Sequence, residues 1–308
     1  MNLAAPAMPS AHDLLARLQM LIDRGGPEPD AYESLTSMLG EADDLVLRGM
    51  ATRRELQQIW WDQGESFLRD TMQGFVLLKP HGYAGDFEII DRIYTHWTSP
   101  NPHFVRWDQY FHAQSGAHAV RNRQLVLQQV IRQAMAEQPG RQLHILNLGS
   151  GPCRDVRDFI DANPDADVAI DCVDQDANAI AHATGLLAST RGRAAVRFHR
   201  GNALRFTSSP RYDLVWSAGL FDYLSDRLFV ALLSRIARWL RPGGRIVVGN
   251  FSTQHPSRRY MEVVGEWMLR HRDEALLWRL AERAGFEGDR VRVFGEPAGV
   301  NLFLDYRM

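Results

Sequence analysis

From Ala11 to about Gln138 the apolar residues recur at the three-to-four spacing of amphipathic helices, as in Leu14, Leu15, Leu18, Leu21 and Ile22, and again in Leu56, Ile59, Trp60, Phe67 and Leu68. This stretch predicts helices only. Breaks fall at Gly25-Gly26-Pro27, at Gly49 before Thr52, over Lys79–Asp86 and at Ser99-Pro100-Asn101-Pro102. Thr52 is an N-cap candidate because Glu55 follows three residues on, where its carboxylate can answer the cap. A further helix over about Ala117–Glu137 leads into the second half.

After Gly140 the period changes. Short β-rich runs at Leu143–Leu148, Val168–Asp174, Ala195–Arg200, Tyr212–Ser217, Arg245–Asn250, Val291–Phe294 and Asn301–Tyr306 alternate with helical ones, the pattern of a parallel sheet covered by helices. Gly295-Glu296-Pro297-Ala298-Gly299 is too short for a helical crossover, so the last two strands are expected to form an antiparallel hairpin. The expectation is an α/β fold with a seven-stranded sheet and a C-terminal antiparallel hairpin, preceded by an all-helical N-terminal domain. In domains this reads as a flexible tail over 1–10, a helical lid or substrate-binding domain over 11–138, and the α/β domain over 139–308.

Composition narrows the partners. With 35 Lys plus Arg against 37 Asp plus Glu in 308 residues, the net charge of −2 gives no footprint for nucleic acid or an anionic membrane, and a small or neutral partner is expected. There are two cysteines, Cys153 and Cys172, no signal-peptide pattern and no apolar run of membrane length. A cytoplasmic protein without membrane insertion is the expectation. Oligomeric state is left open, a homodimer included. His81, His96, His103, His112 and His118 are scattered without metal-ligand spacing, so no metal is expected. Cys153, near a helix N-terminus, reads as a small packing residue rather than a reactive thiol.

The segment that carries chemistry is His144-Ile-Leu-Asn-Leu-Gly-Ser-Gly-Pro-Cys-Arg-Asp155, an apolar strand running into Gly149-x-Gly151 and then a helix. Glycines there let the chain turn sharply and bring helix N–H groups close to a bound nucleoside or anion. The next strand ends in Asp174, roughly 20 residues further on, where a carboxylate can accept ribose hydroxyls. Arg154 stands where a dinucleotide fingerprint wants Gly or Ala, and its bulk argues against pyrophosphate and hydride transfer.

In these features residues 141–308 resemble the class I S-adenosylmethionine-dependent methyltransferases, with their Rossmann-like sheet. The resemblance implies S-adenosylmethionine as cofactor, S-adenosylhomocysteine as product, and direct in-line methyl transfer. It places Gly149, Ser150 and Gly151 against the methionyl part and Asp174, with Gln175 beside it, on the ribose. It places Asn202 and Ala203 on the adenine, although the family more often has Asp at position 202. Tyr212–Ser217 and the segment after it match the fourth strand and its active-site rim, so Ser217 joins the cofactor set and Asp222 and Tyr223 become catalytic candidates. Tyr83, on the glycine-containing loop Lys79–Asp86, is expected to close over cofactor and acceptor. Arg259 and Tyr260 lie in a polar and aromatic insertion after the fifth strand and read either as further acceptor-side candidates or as part of an ordinary amphipathic helix; Arg123, with Arg121, either reaches the cofactor's carboxylate or faces solvent. Gly82-Tyr-Ala-Gly-Asp-Phe87, Gly219-Leu-Phe-Asp-Tyr-Leu224 and Arg259–Arg270 look like a bacterial group that makes 3-hydroxy fatty acid methyl esters as quorum-sensing signals. That likeness implies carboxyl O-methylation, with Trp60, Trp61, Phe67, Phe75, Trp97, Phe104, Trp107 and Phe111 either lining an acyl tunnel or packing as core. Two alternatives stand beside it: a small-molecule N- or O-methyltransferase of secondary metabolism, and a non-catalytic cofactor-binding scaffold.

Overall fold

A computed structural model describes residues 10–209 and 211–308. The tail expected over 1–10 lies outside the described residues except for Ser10. That residue is the N-cap of the first helix, its side chain and Asp13 forming a reciprocal capping box.

The described residues divide into two compact units, residues 10–117 with 256–268, and residues from 118 to 255 with 269–308. The first contains α1 (Ala11–Asp23), α2 (Tyr32–Leu47), α3 (Arg53–Trp61), α4 (Gly64–Asp70), α5 (Met72–Leu78), α6 (Phe87–Tyr94), α7 (Val105–Ala113) and the opening residues of α8 (Ser115–Glu137). Thr52 caps α3 in a box with Glu55. Trp60, Phe67 and Trp107 pack edge-on or stacked, with ring centroids 5.2 to 5.9 Å apart, and all three are buried. Phe75 and Phe111 are buried too, whereas Trp61 is exposed. Asp108 sits in this core, pushed up to about 6 by burial, and accepts hydrogen bonds from the Met72 and Ser99 N–H groups at 2.7 Å each.

The second unit carries a mixed sheet of β1 (Leu143–Leu148), β2 (Val168–Asp174), β3 (Ala195–Arg200), β4 (Tyr212–Ser217), β5 (Leu240–Phe251), β6 (Val291–Gly295) and β7 (Asn301–Arg307) in the order β3-β2-β1-β4-β5-β7-β6. The first five strands run parallel, and β7 is antiparallel to both its neighbours. Between them lie α9 (Arg154–Ala162), α10 (Ala177–Leu187) and α11 (Asp226–Ala237); α12 (Arg258–Val263), which belongs to the first unit, and α13 (Glu274–Arg283) follow β5.

Alternation along each strand feeds two cores. On one face Leu146, Leu148, Val215, Ile246, Val248 and Leu304 cluster with Phe229, Leu232 and Leu233 of α11 and Leu277 and Leu280 of α13. On the other, Ile145, Ile170, Leu214, Trp216, Val247 and Phe303 cluster with Leu127 and Ile131 of α8 and Val156 and Phe159 of α9. Every parallel strand therefore ends at one carboxyl edge, where a ligand crevice forms in such sheets.

Two boundaries differ from the sequence reading. The limit between units falls at Ala117 rather than near residue 138, because α8 from His118 onward packs on the sheet. Residues 256–268, read as part of the α/β half, return to the first unit. There Tyr260 stacks edge-on with Tyr110 at 5.3 Å, Gln57 donates to the Val263 carbonyl at 3.0 Å, and Gly116 N–H donates to Ser257 Oγ at 2.8 Å. Among the described residues no helix is long and apolar enough to cross a membrane.

Candidate active site

At the end of β1 the chain turns through Gly149 (φ +64°) and Gly151 (φ +54°), left-handed conformations that disfavour a Cβ by about 1–2 kcal/mol each. The Gly149 and Ser150 N–H groups donate to the Val173 carbonyl at 2.9 and 3.1 Å, fastening the turn to the end of β2. Gly151 N–H then donates to Asp174 Oδ2 at 2.9 Å, and Asp176 N–H to Oδ1 at 3.0 Å. The glycine bend and the acid meet directly. A Cβ on Gly149 would press on Leu220 at 3.1 Å, while one on Gly151 would meet nothing within 4 Å, so the turn opens onto free space there. Burial raises the Asp174 carboxyl above its ordinary range, opposed by those two N–H groups. Ser150 Oγ is buried and has no hydrogen-bond partner.

Asn202 and Gln175 stand together, exposed, after β3 and β2: Asn202 Nδ2 donates to Gln175 Oε1 at 3.3 Å, and its Oδ1 accepts from Leu204 N–H at 2.8 Å. Gly201 N–H donates to the Asp174 carbonyl at 2.8 Å, and Ala203 is buried beside them. Ser217 is turned inward; its hydroxyl donates to the Leu148 carbonyl at 2.7 Å and braces the ends of β4 and β1. Arg154 is the first residue of α9, behind the turn.

The rim after β4 is held from within. Asp222 is 1% exposed, its Oδ1 accepts from Phe251 N–H at 2.6 Å, and its carbonyl accepts from Arg270 N–H at 2.8 Å. Burial pushes its carboxyl up to about 6, against the pull of that N–H and of the Arg123 and Arg272 charges. This geometry ties the rim to β5 through one oxygen of the Asp222 carboxylate. Tyr223, beside it, is exposed. Arg123 reaches in from α8 and donates to the Ala218 carbonyl at 3.0 Å, with its Nε buried and without a partner. It also faces Asp155, a buried carboxyl that desolvation likewise pushes up to about 6.

Sequence reasoning missed two residues here. Arg272 is 1% exposed and donates to the Phe221 and Leu224 carbonyls at 3.1 and 2.6 Å, to Asn250 Oδ1 at 2.6 Å and to Asp226 Oδ1 at 2.8 Å. Its guanidinium also lies 4.8 Å from the Phe229 ring centroid. Asn301 is 0% exposed, and neither atom of its amide has a partner. No local pattern marks either one.

Three candidates lie in the first unit instead. Tyr83 is half-exposed on the loop between α5 and α6. Arg259 pairs with Asp44 at 3.3 Å and Asp43 at 3.7 Å. Tyr260 is buried against Tyr110 and Phe111, and desolvation raises its phenol well above the ordinary value. Arg259 and Tyr260 line a cavity of about 430 Å³ with Thr36, Gly40 and Glu41, still within that unit. Among the described residues no group of three His, Cys, Asp or Glu side chains is placed to hold a metal.

Comparison with known proteins bears on the second unit. Residues 145–244 match the family model of a methyltransferase domain. The second unit carries a class I S-adenosylmethionine-dependent methyltransferase domain. The cofactor of this methyltransferase domain is S-adenosylmethionine. The turn fits it: Ser150 Oγ and Arg123 Nε are buried donors with no partner, and space is open in front of Gly151.

Among solved structures, a "possible exported protein" from Bordetella parapertussis shares the fold with a TM-score of 0.64 at 18% identity, covering 99% of each chain. The CurJ carbon methyltransferase gives 0.52 at 16% identity, over 96% of this chain and 70% of that one. The S-adenosylmethionine-dependent methyltransferase SibL gives 0.51 at 15% identity, over 90% and 76%. At these identities the likeness is one of fold. No curated protein matches the chain.

Proposed function

We propose that the protein moves a methyl group from S-adenosylmethionine to the carboxyl, or another oxygen, of a fatty-acyl or other small-molecule acceptor by direct in-line displacement. The observation that carries this reading is the contact between Gly151 N–H and Asp174, which brings the glycine turn and the ribose acid to one point beside an unpartnered Ser150 hydroxyl. When bound, the cofactor supplies a methyl group already activated on a positively charged sulfur.

The chain's own part is placement and exclusion of water. Asp174 keeps lone pairs for the ribose hydroxyls while its backbone donors hold it oriented. Gln175, Asn202 and Ala203 flank the adenine position, and Gly149, Ser150 and Gly151 back the methionyl chain. Arg123 is the proposed partner of the cofactor's carboxylate, and Tyr223 the exposed rim residue. Tyr83 remains a proposed contact; Arg259 and Tyr260, engaged within the first unit, are left out of the site.

Carboxyl methylation is the reading that asks for no general base, and none is required of Asp222, one of whose oxygens accepts from Phe251 N–H. A carboxylate acceptor is nucleophilic at neutral pH and needs no base, whereas an amine or alcohol does. The sequence likeness to 3-hydroxy fatty acid methyl ester synthases points the same way.

The test is transfer of tritiated methyl from S-adenosylmethionine by the purified protein to a panel of fatty acids and to cell extract. Label in a base-labile lipid is expected. Label in a base-stable product would replace the ester reading with an N- or ether-forming one, and tight S-adenosylhomocysteine binding without any turnover would select a scaffold.

A further inference from the structure

Asn301 opens β7, and its backbone is fully used: its N–H donates to Glu296 Oε1 and its carbonyl accepts from Glu296 N–H, both at 3.1 Å. Its side chain does nothing comparable. The amide is completely buried, with neither Nδ2 nor Oδ1 partnered, a standing loss of free energy that native structures rarely tolerate without a reason. Gly249 of β5 gives the amide its room, since a Cβ there would lie 3.0 Å from Asn301 Nδ2 and 3.0 Å from the Ala218 carbonyl, the same carbonyl that Arg123 holds.

The carboxyl edge is thereby divided. The turn after β1 and the ends of β2 and β3 carry Gly149–Gly151, Asp174 and Asn202, while the adjacent strands β4, β5 and β7 bring together Ala218, Gly249 and Asn301. In-line displacement requires the acceptor atom on the side of the methyl group away from sulfur, which assigns the second half of the edge to the acceptor.

We propose that Asn301 is a specificity-determining residue that binds the acceptor's head group. Whichever way the amide is turned, it offers an NH2 group that donates and an oxygen that accepts. With the carboxylate acceptor of the reading above, on which this inference rests, Nδ2 donates to the carboxylate oxygen that is not methylated and so points the other oxygen at the methyl group. A site built to hydrogen-bond its substrate loses discrimination when that partner is removed.

The experiment uses the full chain and the saturated acid, from octanoic to hexadecanoic, that the wild type esterifies best. Asn301→Ala is expected to raise KM for that acid at least tenfold while S-adenosylhomocysteine affinity, measured by calorimetry, stays within twofold. Asn301→Asp, which sets a negative charge against the carboxylate, is expected to raise KM further. Retained S-adenosylhomocysteine binding also reports that each variant is folded. Unchanged KM in both variants would overturn the proposal, leaving the amide to a water or to packing. Parallel loss of S-adenosylhomocysteine affinity would overturn it as well, moving Asn301 to the cofactor. If the wild type labels no acid in the panel, the carboxyl reading itself fails before any variant is compared.

Discussion

Asp174 receives the N–H groups of Gly151 and Asp176 on one carboxylate, and in the proposed reading the same carboxylate accepts from the ribose diol. Removing it takes away both the ligand contact and the brace on the turn. Asp174→Ala is expected to weaken S-adenosylhomocysteine binding at least a hundredfold, about 2.8 kcal/mol at tenfold per 1.4, with far-UV circular dichroism unchanged; an unaltered calorimetric affinity would refute the ribose role. Gly149, Gly151 and Asp174 were legible in the sequence because a sharp strand-to-helix turn and an acid one strand later are short-range requirements. Asp222 was legible as a place but not as a state: its burial and its bond to Phe251 N–H depend on a strand nearly thirty residues away. Arg272 and Asn301 were illegible for the same reason, since an arginine near a helix start and an asparagine opening a strand look alike whether solvated or enclosed.

Among the elements, the strands were the clearest part of the sequence, because period-two burial on two faces leaves little freedom in where a strand starts. The exception is β5, which begins at Leu240 rather than Arg245. Pro242-Gly243-Gly244 reads as a turn, yet Leu240 already pairs with Tyr212 before the register shifts. The short turn at Phe221–Tyr223 after β4 is braced by Arg272, which gathers the Phe221 and Leu224 carbonyls and Asn250. Arg272→Met keeps much of the volume but strands those acceptors without donors. It is expected to lower stability by about 1–3 kcal/mol, read as a shift in the urea midpoint; a midpoint that does not move would reduce Arg272 to a packing residue.

At the scale of the whole molecule, the change of period at Gly140 conveyed two kinds of structure, helices first and a sheet after. They could not convey that residues 256–268 leave the sheet and rejoin the helices, because α12 has the composition of any amphipathic helix and its destination is set by Tyr110, Phe111 and Gln57, far upstream. A fragment ending at residue 138 lacks Tyr260, Val263 and Val264, all buried in the intact chain. It is expected to melt without a cooperative transition in circular dichroism, and a sharp transition would show that the first unit is complete without them. The order of synthesis follows from the same interleaving. The first unit's opening residues leave the ribosome early but must wait, with part of their apolar surface uncovered, until more than a hundred further residues have been made and α12 arrives to finish them.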